Sequence, residues 1–329
     1  MPVPVLICDD SSFARKQMAR ALPADWDAEV GFAGNGEEAL AAIAEGKADL
    51  LFLDLNMPVM DGYGVLEAIR ARDLPTLVIV VSGDIQPEAH ARVMGLGAME
   101  FIKKPVQPEE IGAILEKYGL RGKSVAPAAP VDVELDLWDG YRELANVAMG
   151  RAADLLARVL DAFVVMPIPN VNLLEMSELR MTLAHIDDGH SVSAVCQGFI
   201  GAGLSGEALL VFDEASLDAI ATLMRHEETL SEPAQVELLM DTASILVGAC
   251  LKGIADQLDI GFSQGHPMVL GRHVNVADLL ARTAQRRDRI LTIELGFAIE
   301  GHRISGNILL LLTQDSVESL DALLEYTVA

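Results

Sequence analysis

Leu50-Leu51-Phe52-Leu53 runs straight into Asp54, and this stretch decides how the first third of the chain folds. Four apolar residues in a row, without polar alternation, read as a short strand buried on both faces. The same arrangement recurs on either side. Val5-Leu6-Ile7-Cys8 precedes Asp9-Asp10, Leu77-Val78-Ile79-Val80-Val81 precedes Ser82-Gly83, and Ala98-Met99-Glu100-Phe101-Ile102 precedes Lys103-Lys104-Pro105. Amphipathic segments at about 12–22, 36–45, 63–72, 87–95 and 107–117 predict helices between them. Strand and helix in alternation predict an α/β fold, a doubly wound five-stranded parallel sheet over residues 1–120. Ligands bind such sheets at the carboxyl ends of the strands, where Asp9, Asp10, Asp54, Ser82 and Lys104 fall.

Three carboxylates at one sheet edge repel each other unless a cation joins them. Oxygen ligands with room for water suit Mg²⁺. A lysine ammonium adds positive charge and a serine hydroxyl adds a directed hydrogen bond. Together they can compensate a phosphoryl group carried by an aspartate, and phosphoryl transfer depends mainly on such positioning and charge compensation. Taken singly, Asp9-Asp10 also reads as a helix cap, Asp61-Gly62 as a turn and Phe101 as core.

Taken jointly, Ile7-Cys8-Asp9-Asp10, Leu53-Asp54-Leu55-Asn56-Met57-Pro58-Val59-Met60-Asp61-Gly62, Val81-Ser82-Gly83 and Phe101-Ile102-Lys103-Lys104-Pro105 resemble a CheY-type response-regulator receiver domain over the length of that fold. The resemblance implies that Asp54 accepts the phosphoryl group. It implies that Asp9, Asp10 and Asp54, with the Asn56 carbonyl, hold Mg²⁺. Ser82 and Lys104 would contact the phosphoryl group, Phe101 would take the place of the switch aromatic, and a cis proline would follow Lys104. A CheA-like histidine kinase is the implied phosphodonor.

Residues 121–131, with two prolines and no periodicity, read as a linker. Residues 132–329 form a second unit with an internal repeat. Glu143-Leu144-Ala145-Asn146 lies 98 residues before Asp241-Thr242-Ala243-Ser244, and Pro169 lies 98 before Pro267. Leu204-Ser205-Gly206 matches Ile304-Ser305-Gly306 at an offset of 100, and Ser216-Leu217-Asp218 matches Ser319-Leu320-Asp321 at 103. Two related halves, about 136–228 and 232–329, predict a pseudo-twofold α/β domain with a shared sheet. Asp139, Glu143 and Asn146 share one helical face at i, i+4, i+7, leaving Leu144, Val147 and Leu155 for the core. A carboxylate can grip a lysine, and a carboxamide can orient a water through its donor and acceptor.

Asp139-x3-Glu143-x2-Asn146-x22-Pro169 resembles the active-site signature of the CheC/CheX/FliY phosphatases, which dephosphorylate phospho-CheY. By that resemblance Asn146 positions the attacking water and Glu143 anchors a receiver lysine, with Asp139 and Pro169 in support. The second copy has Asp241 and Ser244 in their places, both shorter, and reads as a degenerate site. The chain is thus expected to be a chemotaxis or two-component protein whose receiver regulates a phosphatase acting on a CheY-type regulator, itself loaded with Mg²⁺. Two alternatives stand beside it: a phosphatase draining its own Asp54, and a binding module for chemotaxis or flagellar-motor proteins, gated by the receiver. A CheD-like protein is a further partner on this expectation, and homodimerisation is compatible with it.

Composition sets the exclusions. The 329 residues carry 49 acidic and 24 basic side chains, a formal net charge of −25, which argues against nucleic acid or an anionic membrane as partner. The most apolar stretches, Leu77–Val81 and Ile308–Leu312, are short of the ~20 residues of a spanning helix, and no signal-like segment opens the chain. Three scattered cysteines make no disulfide framework. A cytoplasmic location is expected. His185, His190 and Asp187-Asp188 read as a polar turn, Arg282, Arg286, Arg287 and Arg289 as a solvated helix face, and Met149, Met166, Met176 and Met181 as core filler.

Overall fold

The computed structural model describes residues 2–120, 136–175, 178–179, 181, 192–223, 231–274 and 289–327. The linker at 121–131, His185, Asp187, Asp188, His190, Met176 and Arg282, Arg286 and Arg287 lie outside the described residues. By its contacts the chain divides into two units, Met1–Glu143 and Leu144–Thr327. The division falls beyond the sequence boundary at 120–132.

The first unit holds β1 (Val3–Cys8), α1 (Ser12–Ala21), β2 (Ala28–Ala33), α2 (Gly36–Ala44), β3 (Leu50–Leu53), α3 (Gly62–Arg72), β4 (Leu77–Ser82), α4 (Pro87–Leu96), β5 (Glu100–Lys103) and α5 (Pro108–Lys117). Its sheet is parallel throughout, in the order β2-β1-β3-β4-β5. One core cluster lies on each side of it: Leu51, Leu53, Val78 and Val80 face α2, α3 and α4, while Val5, Ile7, Phe52 and Ile79 face α1 and α5. That is why β1, β3 and β4 read as unbroken apolar runs. Strand β2 was given no residues by the sequence pattern. It is an edge strand with Glu29 and Phe32 exposed and only Ala33 fully buried, so it lacks the doubly buried signature.

Each helix start has its local reason. Ser11, Asn35 and Asp61 are N-caps whose side chains accept the amides of Ala14, Glu38 and Gly64, satisfying donors with no intrahelical partner. Pro87 and Pro108 open α4 and α5 at a position where a missing N–H is harmless.

Helix α6 (Leu137–Leu160) begins in the first unit. The second unit continues with β6 (Val164–Val165), β7 (Asn170–Leu174), β8 (Val192–Gly201), β9 (Leu204–Asp213), α7 (Glu214–Leu223), α8 (Glu232–Leu258), β10 (Ser263–Gln264), β11 (Met268–Val274), β12 (Ile290–Ile299), β13 (Ser305–Leu312) and α9 (Gln314–Thr327). Its eight strands pair antiparallel throughout, in the order β10-β8-β9-β13-β12-β6, with β11 also on β8 and β7 also on β12. The short strands β6 and β7 thus pair with β12, and β10 and β11 with β8. The central pair, β9 and β13, sets Leu209 opposite Leu309.

The Ser-Gly pairs have a packing role. Gly206 lies opposite Phe199 and Gly306 opposite Phe297. A Cβ at either glycine would stand 2.7 or 2.6 Å from the tip of that ring, so no other residue leaves the ring its place. The buried Ser316 hydroxyl accepts the Ser205 amide at 2.9 Å and donates to the Ser205 carbonyl at 3.0 Å. Ser216 does the same for Ser305, at 3.1 Å each way. The matching of Ser216 with Ser319 is corrected accordingly: the serine making the reciprocal bonds is Ser316.

Three further expectations are corrected. Leu144 and Val147 are buried, but Leu155 is 41 % exposed, because the buried stripe of α6 runs through Ala148, Ala152, Leu156 and Leu160 at four-residue steps. Met149 is buried and Met166 half-buried, whereas Met181 is 67 % exposed. Within α8, Pro233–Leu258 is long and apolar enough to cross a membrane, contrary to the sequence estimate of no such stretch. Its most apolar window is 67 % buried, with Leu239, Leu246, Cys250 and Leu251 in the core, so packing accounts for its composition.

Candidate functional site

Strand order reverses between β1 and β3, since β1 is flanked by β2 on one side and β3 on the other. A crevice opens at such a point, beyond the carboxyl ends of the strands. Backbone hydrogen bonds continue past those ends and fix the residues there. The Asp54 amide donates to the Cys8 carbonyl at 2.9 Å, Asp9 to Ala33 at 3.1 Å, and Lys104 to Ser82 at 3.0 Å. The Lys104–Pro105 peptide is cis, as the resemblance implied.

Lys104 lies at the centre of the cluster. Its ammonium stands 2.7 Å from Asp9 Oδ2, 2.9 Å from Asp54 Oδ1 and 3.2 Å from Glu143 Oε1, all within the first unit and all almost wholly buried. Asp9 Oδ1 also accepts the Ser11 amide, and Asp54 Oδ2 the Asn56 amide. Burial by itself would lower the Lys104 ammonium, but Asp54, Asp9 and Glu143 outweigh it and hold the group well above its ordinary value. Burial raises Glu143, with Lys104 pulling back. Burial likewise pushes Asp9 and Asp10 up to about 7, against the pull of Lys104.

The donors present suit a hard divalent cation: Asp9, Asp10 and Asp54 carboxylates with the Asn56 carbonyl, oxygen throughout. Asp10 Oδ1 is buried with no hydrogen-bond partner, and carboxylates whose ionisation burial disfavours, such as Asp9 and Asp10, gain from a positive charge beside them. Among the described residues no three acidic, histidine or cysteine side chains are gathered at metal-holding spacing. Lys104 stands between Asp9 and Asp54 instead. A cavity of ≈ 20 Å³ adjoins Asp9, Asp54, Lys104 and Glu143, room for about one water.

Ser82 is fully buried, its hydroxyl accepting the Asp84 amide at 3.1 Å. Phe101 is buried, its ring edge-on to His90 at 5.3 Å. On α6, Glu143 and Asn146 are both buried, and Asn146 Oδ1 has no hydrogen-bond partner. Their face is therefore not a solvated one. Pro169 is buried just before β7. On α8, Asp241 is exposed and Ser244 half-buried, unlike the Glu143 and Asn146 pair.

Two contacts lie beyond the sequence patterns, in which Asp61-Gly62 reads only as a turn and Asp139 only as part of a helical face. Gly62 opens α3 against the Asp54–Asn56 loop, with its amide donating to the Leu55 carbonyl at 3.0 Å. Asp139 bonds to the start of α1, at Ser11 and Ser12. Glycine directly after a capping aspartate was the available clue for the first.

Residues 5–116 match the response regulator receiver domain family, and this part of the chain is a receiver domain of two-component signalling. Among curated proteins, the chain is 38 % identical over 155 residues to protein-glutamate methylesterase/protein-glutamine glutaminase 3 of Geobacter sulfurreducens, covering 45 % of this chain and 40 % of that protein. It is 40 % identical over 107 residues to the protein of the same description from Symbiobacterium thermophilum, covering 32 % of this chain and 29 % of the relative. The chain thus spans two-fifths or less of the length of these relatives. Among solved structures, Thermotoga maritima FliY aligns over 57 % of this chain and 96 % of its own at 18 % identity, with a TM-score of 0.43.

Proposed function

We propose that the chain is a chemotaxis or two-component signalling protein that removes the phosphoryl group from a receiver aspartate, and that its own Asp54 is a substrate. The observation that carries this reading is the seat of Glu143 on Lys104, 3.2 Å from the ammonium that also holds Asp54. On the same helix, three residues on, is Asn146, whose unsatisfied carboxamide oxygen is free to take a water. The second unit is read as a duplicated CheC-like domain in which Asp241 and Ser244 mark a relic of the same pair.

In this reading Lys104 compensates charge on the phosphoryl oxygens, and Glu143 fixes Lys104. Asn146, in the second unit, is assigned the orienting of a water on a receiver aspartyl phosphate, the water oxygen bonding to phosphorus as the phosphorus–carboxylate bond breaks. The products are the Asp54 carboxylate and inorganic phosphate, with the proton passing to phosphate and solvent. Mg²⁺ held by Asp9, Asp10, Asp54 and the Asn56 carbonyl would supply further charge neutralisation. Receiver domains in general take their phosphoryl group from histidine kinases, and we place the protein beside such a kinase in the cytoplasm. The methylesterase and glutaminase names belong to relatives of which this chain covers two-fifths or less, and the reading rests on this chain's own residues.

The test is the lifetime of phosphate on Asp54 after loading from a small acyl phosphate with Mg²⁺. Asn146→Ala is expected to lengthen it about 100-fold, roughly 2.7 kcal/mol of barrier. Equal lifetimes in wild type and variant would overturn the proposal. A rate that does not change on dilution marks action within one chain, whereas slowing on dilution marks action between chains, as on a separate regulator.

A further inference from the structure

The first amides of a helix have no intrahelical acceptor and carry the positive end of its dipole. In α1, the Ser11 cap takes the Ala14 amide on its hydroxyl at 3.1 Å. Ser12 is the first helical residue, and its amide donates to Asp139 Oδ2 at 3.0 Å. The Ser11 hydroxyl, already accepting from Ala14, donates its own proton to the Asp139 carbonyl at 3.3 Å. Arg142 holds the other carboxylate oxygen, Asp139 Oδ1, at 2.9 Å. Both oxygens of Asp139 are thus engaged, and one is spent on the end of α1.

Glu143 follows Asp139 by four residues, about 6 Å along the same helical face. Ser12 follows Asp10 by two residues, so the start of α1 lies beside the strand-end carboxylates. One end of this helical turn is tied to α1, and the other meets Lys104. We propose that Asp139 is a positioning residue: by reading the amino end of α1, it sets where Glu143 meets Lys104. The catalytic consequence rests on the phosphatase reading above. The contact needs a backbone N–H at the first helical residue and a hydroxyl at the cap. A receiver with proline at the first of these positions would be discriminated against, whether in this chain or in another.

Ser12→Pro isolates the contact. Proline is well suited to the first helical position, and the extended backbone of Ser11 is what a residue before proline adopts. The substitution removes the donor and leaves α1 intact. In the full chain loaded at Asp54, Asp139→Ala and Ser12→Pro are each expected to slow phosphate loss about tenfold. The double variant should be no slower than the slower single, because both act through one contact. Asp139→Asn keeps an acceptor oxygen at the same reach and should stay within about threefold of wild type. Additive losses, or wild-type rates in both single variants while Asn146→Ala is slow, would overturn the positioning role.

If Asn146→Ala is not slow, the phosphatase reading has failed, and the contact is then judged by hydrogen exchange at the Ser12 amide. Exchange about tenfold faster in Asp139→Ala supports the contact. Unchanged exchange overturns it.

Discussion

The Glu143 carboxylate stands 3.2 Å from the Lys104 ammonium, with only 2 % and 5 % of the two side chains exposed. Lys104 meets Asp9 and Asp54 as well, so one buried cation serves three buried carboxylates. Removing it strands like charges without a counter-charge. Lys104→Met is expected to destabilise the first unit by about 3–5 kcal/mol. Glu143→Gln in that background should recover part of the loss, since it deletes one of the stranded charges. Both tryptophans, Trp26 and Trp138, belong to the first unit, so urea unfolding followed by tryptophan fluorescence reads this unit. A Lys104→Met variant within 1 kcal/mol of wild type would contradict the account.

The second unit invites a paired measurement. Ser216 and Ser316 are fully buried, and each hydroxyl satisfies an amide and a carbonyl of a serine on a neighbouring strand. Alanine at either position removes the hydroxyl partner from a half-buried Ser205 or an exposed Ser305, for a loss of about 0.5–1.5 kcal/mol. The two losses should agree within about 0.5 kcal/mol, because the bonds are reciprocal in kind. Circular dichroism during chemical unfolding measures both. A large effect at one serine and none at the other would show that the two bridges are not equivalent.

Legibility in the sequence followed burial. Strands β1, β3 and β4 are covered on both faces, so Leu50–Leu53 and its counterparts stood out as unbroken apolar runs. Edge strand β2, with Glu29 and Gly31 among half-exposed neighbours, carried no such mark. The receiver residues Asp9, Asp54, Ser82 and Lys104 were legible because each follows or ends a strand. Asp139 was placed on the right helical face, but its partner at the start of α1 was not. That bond joins residues 127 positions apart, and no local pattern encodes it. Ser205 and Ser305, matched at an offset of 100, lie at the starts of β9 and β13. The matching slipped at Ser216, because Ser319-Leu320-Asp321 imitates the local string while Ser316 makes the bond.

A surface pair in the first unit gives a pH dependence of known sign. The Lys117 ammonium bonds to Glu100 at 2.6 Å and, with the Tyr118 hydroxyl, holds the Glu100 carboxyl below its ordinary value. A depressed carboxyl contributes stability above its unfolded value and loses it as pH falls through its folded value. Lys117→Met should therefore raise the Glu100 titration, as followed by NMR of its side-chain carboxyl. The stability gap between wild type and variant should close as pH falls through that range. Because Lys117 is largely exposed, the gap should also shrink in high salt. A Glu100 titration unmoved by the substitution would remove the cause assigned to it.

Gly62 gives the sharpest steric test of the loop after Asp54. It is the first residue of α3, after the Asp61 cap, and its amide bonds back to Leu55. A Cβ there would stand 2.9 Å from Leu55 Cα and closer still to the Asp54 carbonyl oxygen. Both are backbone atoms, which cannot rotate away as a side chain would. Gly62→Ala must therefore push β3 and α3 apart at Asp54, at about 1–3 kcal/mol of stability. Phosphoryl uptake at Asp54 should fall at least tenfold, since displacement of about 1 Å is enough to spoil positioning. Gly112 in α5 supplies the contrast. A Cβ there meets nothing within 4 Å, so Gly112→Ala should gain about 0.5–1 kcal/mol from helix propensity alone and leave uptake unchanged. Equal behaviour of the two alanine variants would mean that the close approach at Gly62 does not constrain the site.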